Sequence, residues 1–102
     1  MIVRAVILLR EAVEDMDAGR DFYDQCEWGV GRYFLDCIIA DLESLRLYAG
    51  IHSTHFGFYR MLSRRFPFAI YYDIAEDLVR VAAILDLRRD PAWVREELSN
   101  RE

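Results

Sequence analysis

Lysine is absent from this chain of 102 residues, so all 13 basic residues are arginines. The 18 acidic residues outnumber them and give a formal net charge of −5 at pH 7. Proteins that bind nucleic acid normally carry a basic surface, so this balance argues against direct sequence-specific DNA binding. A content of 54% hydrophobic residues excludes a disordered chain. The length is that of one domain, and we expect residues 1–102 to form it.

Cysteine and histidine are also scarce, which limits redox and metal chemistry. Cys26 and Cys37 lack a CxxC spacing and lie on apolar faces of predicted helices, so we expect reduced thiols packed in the core. His52 and His55 form an H-x-x-H pair without a third ligand nearby in the sequence. Because a catalytic zinc needs three protein ligands, we interpret them as loop histidines and expect no metal and no cofactor.

Long apolar runs are missing as well. The uninterrupted apolar stretch at residues 5–9 is too short for a signal peptide or a membrane span. It predicts a buried strand within residues 1–9. The chain is therefore expected to be cytoplasmic, without membrane association.

Two segments of the first half have apolar residues at helical spacing, residues 11–26 and 30–48. Gly29 and Gly31 predict a tight turn between them, so the two helices should form an antiparallel hairpin. Only Asp41 interrupts the apolar stripe of the second helix, and we expect it at the edge of that stripe.

After Gly50 the hydrophobic period changes from 3.6 to 2 and predicts three strands. Asp90 and Pro91 predict the N-cap and first residue of a short helix. The fold class is therefore α+β, with an N-terminal strand, an antiparallel helical hairpin packed on a small twisted antiparallel sheet, and a short C-terminal helix. The predicted elements after Gly50 are strands at 58–64, 68–74 and 78–85 and a helix at 91–99.

The strand at 68–74 is apolar on both faces, whereas one helical hairpin covers only one face of a sheet. The second face is covered either by the C-terminal segment or by a partner. We expect a partner, which would bind an exposed aromatic face that includes Tyr71.

Four arginines are candidates for a binding site. Alternation places Arg60 and Arg64 on one face of a strand, and Arg88 and Arg89 follow the last strand. If these strand ends meet, the arginines form a cluster that could bind phosphates or the acidic surface of a partner. Alternatively, Arg64 and Arg65 only flank a hydrophobic strand, and Arg88 and Arg89 form salt bridges with the acidic hairpin turn. The acids of that turn are Asp73, Glu76 and Asp77.

Residues 64–74 and 81–91 resemble the RelE/ParE superfamily, the toxin halves of bacterial type II toxin–antitoxin modules. The resemblance covers essentially the whole chain and implies the hairpin-on-sheet fold. It also implies a cognate antitoxin whose C-terminal segment wraps the toxin. The front half carries three further matching motifs, Asp21-Phe22-Tyr23, Gly29-Val30-Gly31 and Tyr33-Phe34-Leu35-Asp36.

The superfamily divides by function. RelE-like members cleave mRNA on the ribosome without metal, with a basic cluster and a C-terminal tyrosine, whereas ParE-like members block DNA gyrase without catalysis. Ala69 stands where the ribonucleases have a strand arginine, and Leu62 where a lysine is common. The segment Trp93-Val94-Arg95 replaces the tyrosine.

The resemblance therefore implies a ParE-like toxin that is not an enzyme and that binds gyrase. The first alternative is a ribosome-dependent mRNA endoribonuclease with Arg60, Arg64 and Arg89 as catalytic candidates. The second is a degenerate, non-toxic scaffold that binds the antitoxin. The expected target-binding residues are Arg60, Arg64, Arg88, Arg89 and Trp93, and the expected antitoxin-binding residues are Phe22, Tyr33 and Tyr71.

Overall fold

The computed structural model of the chain describes residues 2–102 and has the predicted α+β architecture. One five-stranded sheet has the strand order β1-β5-β4-β3-β2. β1 runs parallel to β5 and all other pairs are antiparallel, so the sheet is mixed and not antiparallel throughout. The elements are β1 (Ala5–Leu8), α1 (Arg10–Cys26), α2 (Val30–Tyr48), β2 (Thr54–His55), β3 (Phe58–Leu62), β4 (Phe68–Ala75), β5 (Leu78–Asp86) and α3 (Pro91–Ser99).

The helical hairpin of α1 and α2 is confirmed, and its two glycines serve different purposes. Gly29 precedes α2 with a φ of 89°, a conformation that glycine adopts without strain. Gly31 lies inside α2, where an added Cβ would be 2.5 Å from the carbonyl oxygen of Arg20. Its N–H donates to Oδ1 of Asp24 at 2.8 Å. Gly31 therefore permits the close approach of the two helices.

The main core lies between the hairpin and the sheet. Phe34, Ile38 and Leu45 of α2 are fully buried against β4, whose Ile70 and Tyr72 are also fully buried. Burial of each such side chain contributes about 1.5–3 kcal/mol relative to exposure. Periodicity correctly predicted this apolar face of α2.

The prediction that Asp41 lies at the edge of this face is wrong. Asp41 is only 4% exposed. Its Oδ2 accepts a hydrogen bond from Ser63 Oγ at 2.8 Å and another from the Arg64 N–H at 3.4 Å. A buried carboxylate is tolerated where it accepts such bonds, and here it fixes the turn between β3 and β4 to α2.

The opposite face of the sheet is covered by α3, and not left for a partner as the sequence suggested. Val94 and Leu98 of α3 pack against Tyr71, Ala82 and Ala83 in a second core. A β-bulge shifts the register so that Tyr71 pairs with Ala83 and Tyr72 with Val81. Ala82 is the extra residue of the bulge, so that Ala82 and Ala83 both face α3. Their small side chains allow α3 to lie close to the sheet.

Further expectations differ from the structure. The N-terminal strand was expected to be buried, but β1 alternates between exposed and half-buried residues because it lies at the edge of the sheet. The strand predicted to reach residue 64 ends at Leu62, and β2 was not predicted. Cys26 is exposed, not packed in the core, because it follows the last turn that faces the sheet; Cys37 is half-buried.

Within residues 2–102, no helix combines the length and the apolarity needed to cross a membrane.

Candidate functional site

Three strand ends meet at one end of the sheet. Leu62 near the end of β3 pairs with Ala69 of β4, and Phe68 at the start of β4 pairs with Asp86 at the end of β5. The Leu87 N–H also donates to the Pro67 carbonyl at 2.8 Å. The turns that follow these strands therefore bring four arginines to the same end of the molecule. We call this region the arginine end, comprising Arg64, Arg65, Arg88 and Arg89.

Arg88 is neutralised within its own turn. Its guanidinium donates to both carboxylate oxygens of Asp86 at 3.0 and 2.7 Å, and its Nη2 donates to the Tyr23 hydroxyl at 3.3 Å. These bonds hold the pKa of Asp86 below its usual value, while burial raises the pKa of Tyr23. Arg88 thus pairs with the acid of its own turn and not, as the alternative expected, with the acidic hairpin, where Asp73 pairs with Arg80.

The other three arginines form no ion pair with the carboxylates of residues 2–102. Arg89 stacks on the indole of Trp93, with its Cζ 3.9 Å from the ring centroid, and Arg65 donates to the Tyr33 hydroxyl at 3.4 Å. Arg64 is exposed. Among residues 2–102, no carboxylate lies within 4.0 Å of these three guanidinium groups. Their guanidinium groups are therefore available for contacts with a partner.

Arg60 does not belong to the arginine end. β3 ends at Leu62, so the alternation that was to place Arg60 and Arg64 on one strand face breaks down before Arg64. Arg60 is half-buried and pairs in register with Tyr71. Tyr71 is 1% exposed, so the prediction of an exposed face around it is wrong. Burial raises the pKa of Tyr71, and the adjacent Arg60 opposes this.

A cluster of packed aromatic rings lies next to the turns of the arginine end. Tyr23, Phe34, Phe66 and Phe68 have ring centroids 4.8 to 6.2 Å apart, a range in which edge-to-face pairs are favourable. Neither Tyr23 nor Phe66 was predicted to be a site residue, although both lie within the motifs that carry the resemblance. Their packing fixes the turns that carry the arginines.

Two expected contact residues lie at the rim of this cluster. Phe22 is 49% exposed and Tyr33 is 48% exposed. Arg88 lies 5.8 Å from the Phe22 ring centroid. Aromatic residues and arginines are both enriched at protein-binding surfaces, so this end combines two residue types that interfaces favour.

The two histidines have separate structural partners. His52 Nδ1 is 2.6 Å from the Tyr72 hydroxyl, and His55 Nε2 is 3.1 Å from Ser53 Oγ. Within the described part of the chain, residues 2–102, no three His, Cys, Asp or Glu side chains are grouped to hold a metal ion. The arrangement at the arginine end is suited to binding an anionic or aromatic group of a partner.

A solved structure has a fold similar to that of this chain. The chain is similar to one from the solved structure of the chromosomal ParDE TA system from P. aeruginosa, with a TM-score of 0.76 and 19% sequence identity. The similarity covers 83% of this chain and 97% of the other. No protein-family model and no curated protein matches the sequence. This chain therefore shares the fold of a chain from that ParDE system.

Proposed function

We propose that this chain is the toxin of a type II toxin–antitoxin system, that it is ParE-like, and that it arrests growth by binding DNA gyrase. The observation that carries the proposal is the fold similarity to a chain of a ParDE system over 83% of the length. In this proposal the toxin acts in the cytoplasm, is neutralised by a cognate antitoxin and performs no chemistry of its own. The resemblance of residues 64–74 and 81–91 supports the same assignment.

The positions of the basic residues favour binding over RNA cleavage. Arg60 lies within β3, in register with Tyr71, whereas the two other candidates for catalysis, Arg64 and Arg89, lie in turns beyond the strand ends. Ala69 is fully buried beneath α3, so an arginine at that position has no space. A catalytic site that stabilises the charge developing on a phosphate group needs several hydrogen-bond donors directed at the same point. The arginines of this chain are better arranged for contact with a protein surface.

The residues proposed to contact each partner are those of the expected residues whose side chains are accessible to solvent. The target would contact Arg64, Arg88, Arg89 and Trp93 at the arginine end, while Arg60 is half-buried and contributes less. The antitoxin would contact Phe22 and Tyr33, which are exposed. Tyr71 is no longer a candidate, because α3 covers it.

The test is controlled expression of the chain in a bacterium that carries a DNA-damage-response reporter. Growth arrest with the reporter switched on, together with inhibition of purified gyrase by the purified chain, is the expected result. Arg89→Ala should weaken gyrase inhibition, whereas Arg32→Ala should not, because Arg32 is an exposed arginine paired with Asp36 on α2. Co-expression with the product of an adjacent short open reading frame should restore growth.

Two outcomes would overturn the proposal. Arrest with a silent reporter and cleaved mRNA on ribosomes would identify the ribonuclease alternative. Normal growth despite accumulation of a folded chain would identify the non-toxic scaffold.

A further inference from the structure

An apolar groove lies between α1 and α3, beside the arginine end. It has a volume of about 260 Å³. Phe22 of α1 and Trp93 of α3 line it, together with Ile84 and Leu85 of β5. The Phe22 ring is 49% exposed, so the groove is open to solvent and accessible to a partner.

Small residues of α1 create the space. An added Cβ at Gly19 would lie 2.6 Å from the Phe34 ring, so contact between α1 and α2 accounts for that glycine. Ala18 is exposed and lines the groove. A larger side chain at position 18 would therefore fill the groove without entering the core.

The groove contains one arginine, Arg89, that forms no ion pair within residues 2–102. Asp15 and Asp86 are part of the lining, but Arg101 binds the first and Arg88 the second. Arg89 also lines the groove, and it is held over the Trp93 ring without a carboxylate within 4.0 Å among residues 2–102. Stacking orients its planar guanidinium and leaves its N–H groups available to an acceptor.

We infer that this groove binds a short segment of a partner protein in which an apolar or aromatic side chain is next to a carboxylate. The apolar side chain would lie among Phe22, Trp93 and Leu85, and the carboxylate would accept hydrogen bonds from Arg89. A nucleic acid fits less well, because one free arginine on a chain of charge −5 neutralises few phosphates. The inference rests on the groove and not on the proposed function. Within that function, the antitoxin would supply the segment, and by binding beside Phe22 it would also cover Arg89 and Trp93 and so block the contacts proposed for the target.

Synthetic peptides and the full-length chain test this inference. The first peptide has a central leucine–phenylalanine pair flanked by glutamates, the second has glutamines instead of the glutamates, and a short ribo-oligonucleotide is the third probe. Binding is followed by the indole N–H signal of Trp93 in ¹H–¹⁵N spectra. Trp28→Phe assigns that signal, because Trp28 is the other tryptophan and is 94% exposed.

The acidic peptide should shift the Trp93 signal, and the glutamine peptide should bind at least about fivefold more weakly. Arg89→Gln should abolish this preference for the acidic peptide. Ala18→Phe should prevent binding, whereas Ala40→Phe, a change at an exposed alanine of α2, should not. Equal binding of the two peptides, binding that survives Ala18→Phe, or binding of the oligonucleotide alone would overturn the inference.

Discussion

Asp15 and Arg101, separated by 86 positions in the sequence, form a bidentate ion pair that joins α1 to the C-terminus. The same two side chains also bind the backbone of β5. Oδ2 of Asp15 accepts the Ile84 N–H at 3.0 Å, and Nη1 of Arg101 donates to the Ala82 carbonyl at 3.2 Å. β1 pairs with β5 only as far as Val81. The ion pair therefore supplies hydrogen-bond partners for the Ile84 N–H and the Ala82 carbonyl, which lie beyond the end of β1.

We expect Arg101→Ala to lower the free energy of unfolding by about 3 kcal/mol. Arg101 is 8% exposed and Asp15 14%, so the substitution leaves a nearly buried carboxylate without its cation. Burial already raises the pKa of Asp15, and the bonds from Arg101 and the Ile84 N–H oppose that rise. Urea unfolding followed by circular dichroism measures the loss.

Arg46→Ala is the matched control, since Arg46 forms an exposed ion pair with Glu43 and should contribute less than about 1 kcal/mol. Arg101→Lys should recover only part of the loss, because lysine cannot form the bidentate pair. If Arg101→Ala and Arg46→Ala had equal effects, the role assigned to the ion pair would be wrong.

Asp41→Ala should destabilise the chain by about 2 kcal/mol, because the Ser63 hydroxyl and the Arg64 N–H lose their buried acceptor. Hydrogen exchange at the Arg64 amide should accelerate as the turn between β3 and β4 loosens. Asp36→Ala, an exposed acid on the same helix, should change stability by no more than about 0.5 kcal/mol. Similar effects of both substitutions would contradict a structural role for Asp41.

Stability should fall as the pH decreases below the usual histidine pKa of 6.5, with His52 responsible for part of the loss. The Tyr72 hydroxyl accepts the Gly50 N–H at 2.9 Å, so its own proton is available to His52 Nδ1. Burial lowers the pKa of His52 in the folded chain. The unfolded chain therefore binds a proton at higher pH than the folded chain, which favours unfolding on acidification.

Unfolding at a series of pH values from neutral to mildly acidic tests this expectation. His52→Gln should reduce the pH dependence of stability over that range, and His55→Gln serves as the control because His55 bonds only the Ser53 hydroxyl. An unchanged pH profile in His52→Gln would exclude this histidine as the source.

Phe56→Asn should raise the free energy of unfolding by about 1 kcal/mol. Phe56 and Gly57 form the two-residue loop between β2 and β3, and Phe56 has a φ of 55°. Asparagine tolerates this conformation and is favoured in such hairpin loops, whereas an aromatic residue is strained there.

Arg95 lies 5.3 Å from the Phe56 ring centroid, and an exposed contact of this kind contributes about 0.5 kcal/mol. Arg95→Ala measures that contact without changing the loop. A loss of stability in Phe56→Asn would mean that the contact with Arg95 outweighs the backbone strain.

Much of the fold could be predicted because the sequence features that indicate it involve residues close together in the chain. The apolar spacing of α1 and α2, the alternation in β4 and β5, and the Asp90 N-cap each depend on a few neighbouring residues. The structure confirms the cap, since Asp90 Oδ1 accepts the Ala92 N–H at 2.9 Å. The candidate site was only partly predictable, because Arg88 and Arg89 could be selected by residue type but their partners could not.

Asp41 and Tyr71 show why the remainder could not be predicted. The sequence marks Asp41 as a polar residue in an apolar stripe, but its burial depends on a turn more than 20 residues away. Tyr71 lies on an apolar strand face, and nothing local to the strand tells whether α3 or another molecule covers that face.

The sequence by itself determined the net charge, the helices, most strands and the apolar face of α2, because side-chain spacing and backbone preference act over a few residues. Only the tertiary structure decided the parallel pairing of β1 with β5, the covering of the second sheet face by α3 and the pairing of Asp15 with Arg101. It also decided which arginines of the arginine end form no ion pair within residues 2–102. These features depend on contacts between distant residues, and the free energy of such contacts is determined by three-dimensional packing and not by local pattern.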